Sequence, residues 1–270
     1  MMAIGREKLE KMFKISNLKW RTAITKVEPN KIITRGYPQE DLIGNISFPE
    51  MVFILLKGEL PEKNESKMLE SVLISFCDHG ITPPSTQTAR IMASAGSQLP
   101  ACIAGGLLAF GENHAGAIEK TMKLLQEGIE RSKDRIEDIA HDLVNELIAT
   151  EEKIPGFGHR YHQADPRAPR LIELAKENDC LGIHTELALA IDKLLSDLKG
   201  IKINIDGVNA GILSDLGFDW RTGTGIFMIG RLPAIISHVY EEKTREEPFR
   251  KFFDIDEIYY DGMEDKRILD

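Results

Sequence analysis

The amino-acid sequence predicts an almost entirely helical protein folded into two lobes. The dominant hydrophobic period along its 270 residues is helical. Only two short runs, KIITRGY and IKINID, look like strands; neither has an adjacent hairpin partner, which argues against an open parallel sheet. The length itself allows one large domain or two unequal ones, because single cores stop growing at roughly 250 to 300 residues, and two lobes are expected.

The elements follow in order. The opening MMAIGREKLEKMF interleaves charged and apolar residues without an apolar h-region, so no signal peptide is expected. Met68, Leu69, Val72, Leu73 and Phe76 form a first apolar stripe at helical spacing. The longest apolar run, Leu99 to Phe110, falls short of the roughly 20 residues that a membrane span needs. The clearest stripe is Ile136, Ile139, Ala140, Leu143, Val144, Leu147 and Ile148. Another comprises Leu187, Ala188, Ile191, Leu194 and Leu195, preceded by Thr185 as a candidate cap. Ile226, Phe227, Ile235, Ile236, Val239 and Tyr240 make the last. Three loops punctuate these helices: Gly80 to Ser85, Gly111 to Gly116, and Ile154 to Pro169. The third is the longest irregular stretch, and long loops in compact domains tend to be functional. Its Phe157, His159, Arg160 and Tyr161 argue against disorder.

Composition narrows the function classes. Lys and Arg number 34 against 43 Asp and Glu, a formal charge of −9 with a pI of about 5.4, which excludes a generally basic nucleic-acid binder. With 42% hydrophobic and 29% charged residues the chain has the material for a sizeable core. Cys77, Cys102 and Cys180 are isolated and read as buried apolar thiols in a reducing compartment. A cytoplasmic protein that contacts neither membrane nor nucleic acid is expected.

Several polar residues stand where chemistry is plausible. His159 lies between Gly158 and Arg160, where freed backbone amides could approach a ligand and cations could hold a carboxylate; a solvated loop histidine is the plain alternative. Arg167, in Asp165-Pro166-Arg167, is either an anion clamp or an arginine at the start of a helix, paired with Asp165. His114, in GENHAGA, precedes a helix starting near Ala117, and the positive end of that helix dipole favours a neutral imidazole able to donate to an oxyanion; local capping is the alternative. Asp206 is a carboxylate among apolar residues in IKINIDGVNAGIL. Burial would raise its pKa and suit it to proton transfer at carbon, unless it simply caps a helix beginning at Val208. His79 ends an apolar helix before a turn, as ligand contact or dipole partner. Arg231 sits within the apolar IFMIGRLPAII, and a buried arginine needs an anion. His141, His162, His184 and His238 are assigned to a polar helix face, the loop, a helix start and the end of a long helix. No histidine shares metal-ligand spacing with another ligand, so no metal is expected.

Taken together, His79 in DHG, His114 in GENHAGA, GFGHRYHQADPRA from Gly156 to Ala168, Asp206 in NIDG and Arg231 in IFMIGR resemble the citrate synthase family in order and spacing. The resemblance begins at TRGYPQEDLIG and ISFPEMVFILLKGELP and continues to DEIYYDG. It implies a mostly helical fold with a large domain, 1–116 and 218–270, and a smaller one, about 117–217, that closes over the substrates in the cleft between them. It also implies an assembly that is at least dimeric.

The chain departs from ordinary synthases at several points. It has GENHAG where they carry GPLHGG, Arg231-Leu232-Pro233 where they carry arginine before glycine-tryptophan, Gln163 where a basic residue is common, and no arginine between Phe253 and Gly262. GFGHR, NIDG, GIFMIGR and DEIYY are instead similar to the citryl-CoA lyase module at the C-terminal end of ATP-citrate lyases. A chain of this length without ATP-grasp or CoA-ligase segments resembles a stand-alone lyase of that kind. The resemblance implies a retro-Claisen cleavage of citryl-CoA to acetyl-CoA and oxaloacetate, with no cofactor consumed. His159 would take the hydroxyl proton, His114 would donate to the enolate oxygen, and Asp206 would protonate the nascent methyl carbon. His79, Arg160, Arg167 and Arg231 would hold the oxaloacetate carboxylates, and Gly156, Phe157 and Gly158 would admit the CoA thioester. A separate citryl-CoA synthetase is the implied partner, and citrate synthase itself or a non-catalytic binding subunit of the same fold are the alternatives.

Overall fold

The computed structural model describes residues 21–131, 135–149, 154–158, 164–251, 253–263 and 268. The opening segment read for a leader, residues 1–13, lies outside them. Two compact units are present, Met1–Lys67 and Met68–Asp270.

The first unit opens with a small antiparallel sheet in the order β1 (Thr25–Glu28), β2 (Lys31–Thr34), β3 (Tyr37–Pro38). The KIITRGY run therefore does have hairpin partners, contrary to expectation. Glu28 pairs with Lys31 across the two-residue link Pro29-Asn30, where Asn30 takes φ 59°. Proline followed by a left-handed asparagine is the chemistry of a tight turn. The β1 run TKVE is mostly exposed and shows no apolar alternation, so nothing in its own pattern announces it. α1 (Gln39–Leu42) and α2 (Phe48–Lys57) follow, the latter started by a Ser47/Glu50 capping box.

α3 (Lys63–Phe76) leads into the second unit, and its stripe Met68, Leu69, Val72, Leu73 and Phe76 is buried as its spacing predicts. There follow α4 (Pro84–Ser94), α5 (Leu99–Leu108), α6 (Gly116–Arg131), α7 (Ile136–Ala149), α8 (Arg167–Glu177), α9 (Ile183–Lys199), α10 (Ile205–Asp215) and α11 (Gly223–Arg245), making 11 α-helices among the described residues. α4 has a proline, Pro84, as its first residue and α5 has Pro100 as its second, and the missing N–H costs nothing in a first turn. α4, α5 and α11 enclose a core of Ala89, Ala93, Cys102, Ile235 and Val239. A second layer pairs α10 with α6 and α9, and α9 with α7. In α11, Ile226, Phe227, Ile235 and Val239 are buried, whereas Ile236 and Tyr240 face out. Cys102 and Cys180 are buried as expected; Cys77 is half-buried.

Two local expectations change. IKINID forms no strand; it makes a single bridge, Ile203 to Phe157, and then enters α10. Thr185 does not cap α9, which begins two residues earlier, at Ile183. Its amides are capped by Asp215, thirty residues downstream at the end of α10. No described helix is long and apolar enough to cross a membrane.

Candidate active site

A cavity of about 270 Å³ opens within the second unit. Five segments meet there: the His79–Pro84 turn, the loop before α6, Gly158, the start of α10, and the Phe227–Arg231 turn of α11; Arg167 at the head of α8 completes the wall.

His114 is held by its own loop. Its amide donates to Gly111 O at 3.0 Å and its carbonyl accepts from Gly111 N at 2.9 Å, and Ala115 turns into the helix at φ 65°. The imidazole Nε2 lies 2.8 Å from Ser85 Oγ, and the ring packs 4.8 Å from that of Phe110. Ser85 is fully buried, so the pair is a fixed feature of the wall. His79 is set in a turn in which Asp78 Oδ1 accepts from Gly80 N at 3.1 Å, with Gly80 left-handed at φ 67°.

The start of α10 is tied to the GFG loop. Asn204 caps the helix, its Oδ1 accepting from the Asp206 and Gly207 amides at 2.9 and 3.3 Å, and its Nδ2 donates to Gly158 O at 2.6 Å. Asn204 N donates to Gly156 O, and Gly158 N to Lys202 O. At Gly156, φ is 82°, and a Cβ would stand 2.7 Å from Thr121 Oγ1 and 2.8 Å from Gly207 Cα, so only glycine fits. The glycines predicted to admit CoA therefore divide. Gly158 lines the cavity, whereas Gly156 and the buried Phe157 fasten the loop against α6 and α10.

Asp206 is the second residue of α10 and not its cap, contrary to the plainer sequence reading. The residue keeps some exposure, but its Oδ1 is enclosed and has no hydrogen-bond partner among the described residues. Burial is the main reason that its carboxyl is pushed up to about 6; Arg167 and Arg231 oppose that rise and Asp165 adds to it. Arg167 is paired with Asp165, which accepts from its backbone N, Nε and Nη2 and also from Ile205 N. Burial pushes the Asp165 carboxyl up, but these donors outweigh it and hold it below the usual range. Arg167 Nη1 reaches Ser75 O at 3.2 Å, so pairing with Asp165 and lining the cavity are both true of it.

Arg231 is 2% exposed. Its Nε donates to Phe76 O at 2.7 Å and its guanidinium stacks 5.1 Å from the Phe227 ring. Nη1 is buried with no hydrogen-bond partner among the described residues, and burial pulls the group below its usual pKa. A guanidinium stays charged regardless, so an orphaned N–H at a cavity wall is a place for an anion.

Five of the predicted residues, His79, His114, Arg167, Asp206 and Arg231, thus face one cavity, with Gly158 beside them. His159 and Arg160 lie outside the described residues. Sequence reading missed Ser85, the partner of His114 from 29 residues away, and Asn204. The second had a signal, an asparagine immediately before a helix.

Residues 62–251 match the family model for the citrate synthase C-terminal domain, more than half of the chain. The chain belongs to the citrate synthase family. Among solved members of this fold, citryl-CoA lyase from Hydrogenobacter thermophilus is 43% identical, with TM-score 0.85, and the match covers 92% of this chain and 97% of that one. ATP citrate lyase from Methanothrix soehngenii, solved with citrate and coenzyme A, shares the fold at TM-score 0.79 and 21% identity, over 96% of this chain and 44% of that one. Citrate synthase from Heyndrickxia coagulans is 28% identical over 84% of this chain, which spans 59% of that synthase's length. The family relation and the helical fold expected from the motifs therefore hold.

Proposed function

We propose that this protein is a citryl-CoA lyase that cleaves citryl-CoA to acetyl-CoA and oxaloacetate. The observation that carries the reading is the 43% identity to the Hydrogenobacter enzyme over nearly the whole of both chains. Cleavage requires the tertiary hydroxyl to lose its proton as the carbon–carbon electron pair moves onto the thioester, giving a ketone and an enolate that is then protonated at carbon. The base role falls to His159 through the family resemblance. His114, steadied by Ser85, donates to the enolate oxygen. Asp206 returns a proton to the methyl carbon. A carboxyl near 6 keeps roughly a tenth of its population protonated at pH 7, far more than an ordinary aspartate does. Arg231 and Arg167 with His79 hold the oxaloacetate carboxylates, where guanidinium pairing fixes orientation as well as charge. Arg160 joins them through the resemblance.

The family's domain division is proposed to apply here, with 117–217 as the smaller, closing domain and 1–116 plus 218–270 as the larger. A homo-oligomer, a cytoplasmic setting, a separate synthetase as source of citryl-CoA, and turnover without a cofactor complete the proposal. The absence of arginine from Phe253 to Gly262, where Asp254, Asp256 and Glu257 stand instead, favours a lyase over a synthase, because acidic groups would repel a substrate carboxylate. The test is to supply purified protein with citryl-CoA and quantify acetyl-CoA, oxaloacetate, citrate and free CoA over one turnover. Acetyl-CoA and oxaloacetate are expected; citrate and free CoA as main products would make the protein a synthase.

A further inference from the structure

Outside the cavity, α11 carries a second polar residue on the face that bears Arg231. His238 is seven residues on, two helical turns along the same stripe. Arg231 Nε grips Phe76 O at 2.7 Å, and His238 Nε2 lies 3.1 Å from Asp78 Oδ1, so one helix face holds both ends of the Phe76–Asp78 segment that delivers His79. α11 can approach the end of α3 this closely because residue 230, just before Arg231, is glycine: a Cβ there would stand 2.7 Å from Leu73 O and 3.0 Å from Phe76 Cβ.

The geometry assigns His238 as a positioning residue that acts on His79 through Asp78. Asp78 Oδ1, the oxygen that faces His238, also accepts from Gly80 N and so closes the turn around His79. On the other side of the ring, Nδ1 lies 3.4 Å from Arg90 Nη1. Arginine can only donate, so Nδ1 is the accepting nitrogen and Nε2–H is directed at Asp78. Arg90 in turn is fixed by Glu242, at 2.7 Å from both Nε and Nη2, and by Glu241 at 2.8 Å. Glu241 also approaches His238 Nδ1 at 3.9 Å. The histidine is thereby seated from α4 and from its own helix, and it passes that fixity to an otherwise exposed turn. Burial pushes the Asp78 carboxyl up, and the His238 hydrogen bond is foremost among the contacts that bring it below the usual range.

The consequence for function rests on the reading that His79 holds a substrate carboxylate. His238→Leu removes the donor, whereas His238→Gln keeps an N–H near the Nε2 position. The leucine variant is expected to weaken oxaloacetate binding about tenfold by calorimetry, to leave CoA affinity unchanged and to speed amide exchange at Gly80; the glutamine variant should restore each to within about twofold of wild type. Asp78→Ala, an exposed substitution, should match His238→Leu, and the double variant should be no worse than either. Unchanged oxaloacetate affinity and Gly80 exchange in His238→Leu, a glutamine variant as impaired as leucine, or additive losses in the double variant would overturn the assignment. Gly80 exchange needs no substrate. If wild type binds no oxaloacetate while exchange responds as expected, the proposed function fails and the His238 assignment stands.

Discussion

Helix α10 carries an aspartate at each end, and the two have opposite fates. Asp206 opens the helix at the cavity wall with Oδ1 enclosed and unpartnered among the described residues. Asp215 closes it with a side chain only 6% exposed, accepting from the Gly182, His184 and Thr185 amides and from His184 Nδ1 at 2.9 to 3.0 Å. Burial is the largest influence on both carboxyls and pushes both up. Only Asp215 has donors to outweigh it, so it ends below the usual range while Asp206 rises to about 6. Desolvation alone therefore does not decide what a buried carboxylate becomes. The number of donors aimed at it does.

The largest expected effect tests the cavity end. Asp206→Asn keeps the shape and leaves the Asn204 cap intact but removes the transferable proton. Citryl-CoA cleavage should fall by about a thousandfold or more, with oxaloacetate binding little changed. Steady-state rates near wild type would remove Asp206 from the chemistry. Next in size, Arg231→Met should roughly preserve packing while deleting the orphaned cation, and should weaken oxaloacetate binding by about 2 to 5 kcal/mol. Calorimetry giving unchanged affinity would make Arg231 a structural residue held by Phe76 O and Phe227.

The packed end should respond in stability. Asp215→Asn turns one accepting oxygen into a donor facing backbone amides, so α9 loses part of its cap. A loss of about 2 to 3 kcal/mol is expected in denaturant unfolding, with little change in turnover per folded molecule. Because the folded carboxyl lies below its unfolded value, the wild-type advantage should be present above the unfolded pKa and fade as pH falls through the folded one. A variant as stable as wild type at pH 7 would show that these hydrogen bonds contribute nothing net.

The same contrast marks what could be read from the sequence. Stripes such as Met68 to Phe76 and Ile139 to Val144 are local and periodic, and they are buried as read. Asp206 and Arg231 were conspicuous because charge interrupted apolar sequence, and both face the cavity. Contacts made across the fold left no such trace. The cap on α9 arrives from Asp215, and the partner of His114 from Ser85, each about thirty residues away, so neither neighbourhood announces the other. β1 escaped notice for a different reason. Its exposed TKVE shows no apolar alternation, and the sequence marks the turn after it with the Pro29-Asn30 pair alone, whose left-handed asparagine becomes visible in the structure.

The smallest expected effect sharpens the comparison most, because it asks whether the unpartnered aspartate costs the fold stability. An acid whose folded pKa is above its unfolded one binds more protons folded than unfolded between the two values, so its contribution to stability declines as pH rises through that window. For Asp206 the window runs from 3.8 to about 6, and at higher pH the penalty for burying the charge is complete. A shift of that size would amount to roughly 3 kcal/mol; the residue's remaining exposure reduces this to about 1 to 2 kcal/mol. Asp206→Asn, inactive as an enzyme, should therefore be more stable than wild type by about that amount at pH 7.5, and the gap should close by pH 4. Chemical denaturation of both proteins at the two pH values measures it. A pH-independent gap would mean that the gain comes from shape or packing, and a destabilised variant would mean that the carboxylate at the cavity has stabilising partners like those of Asp215.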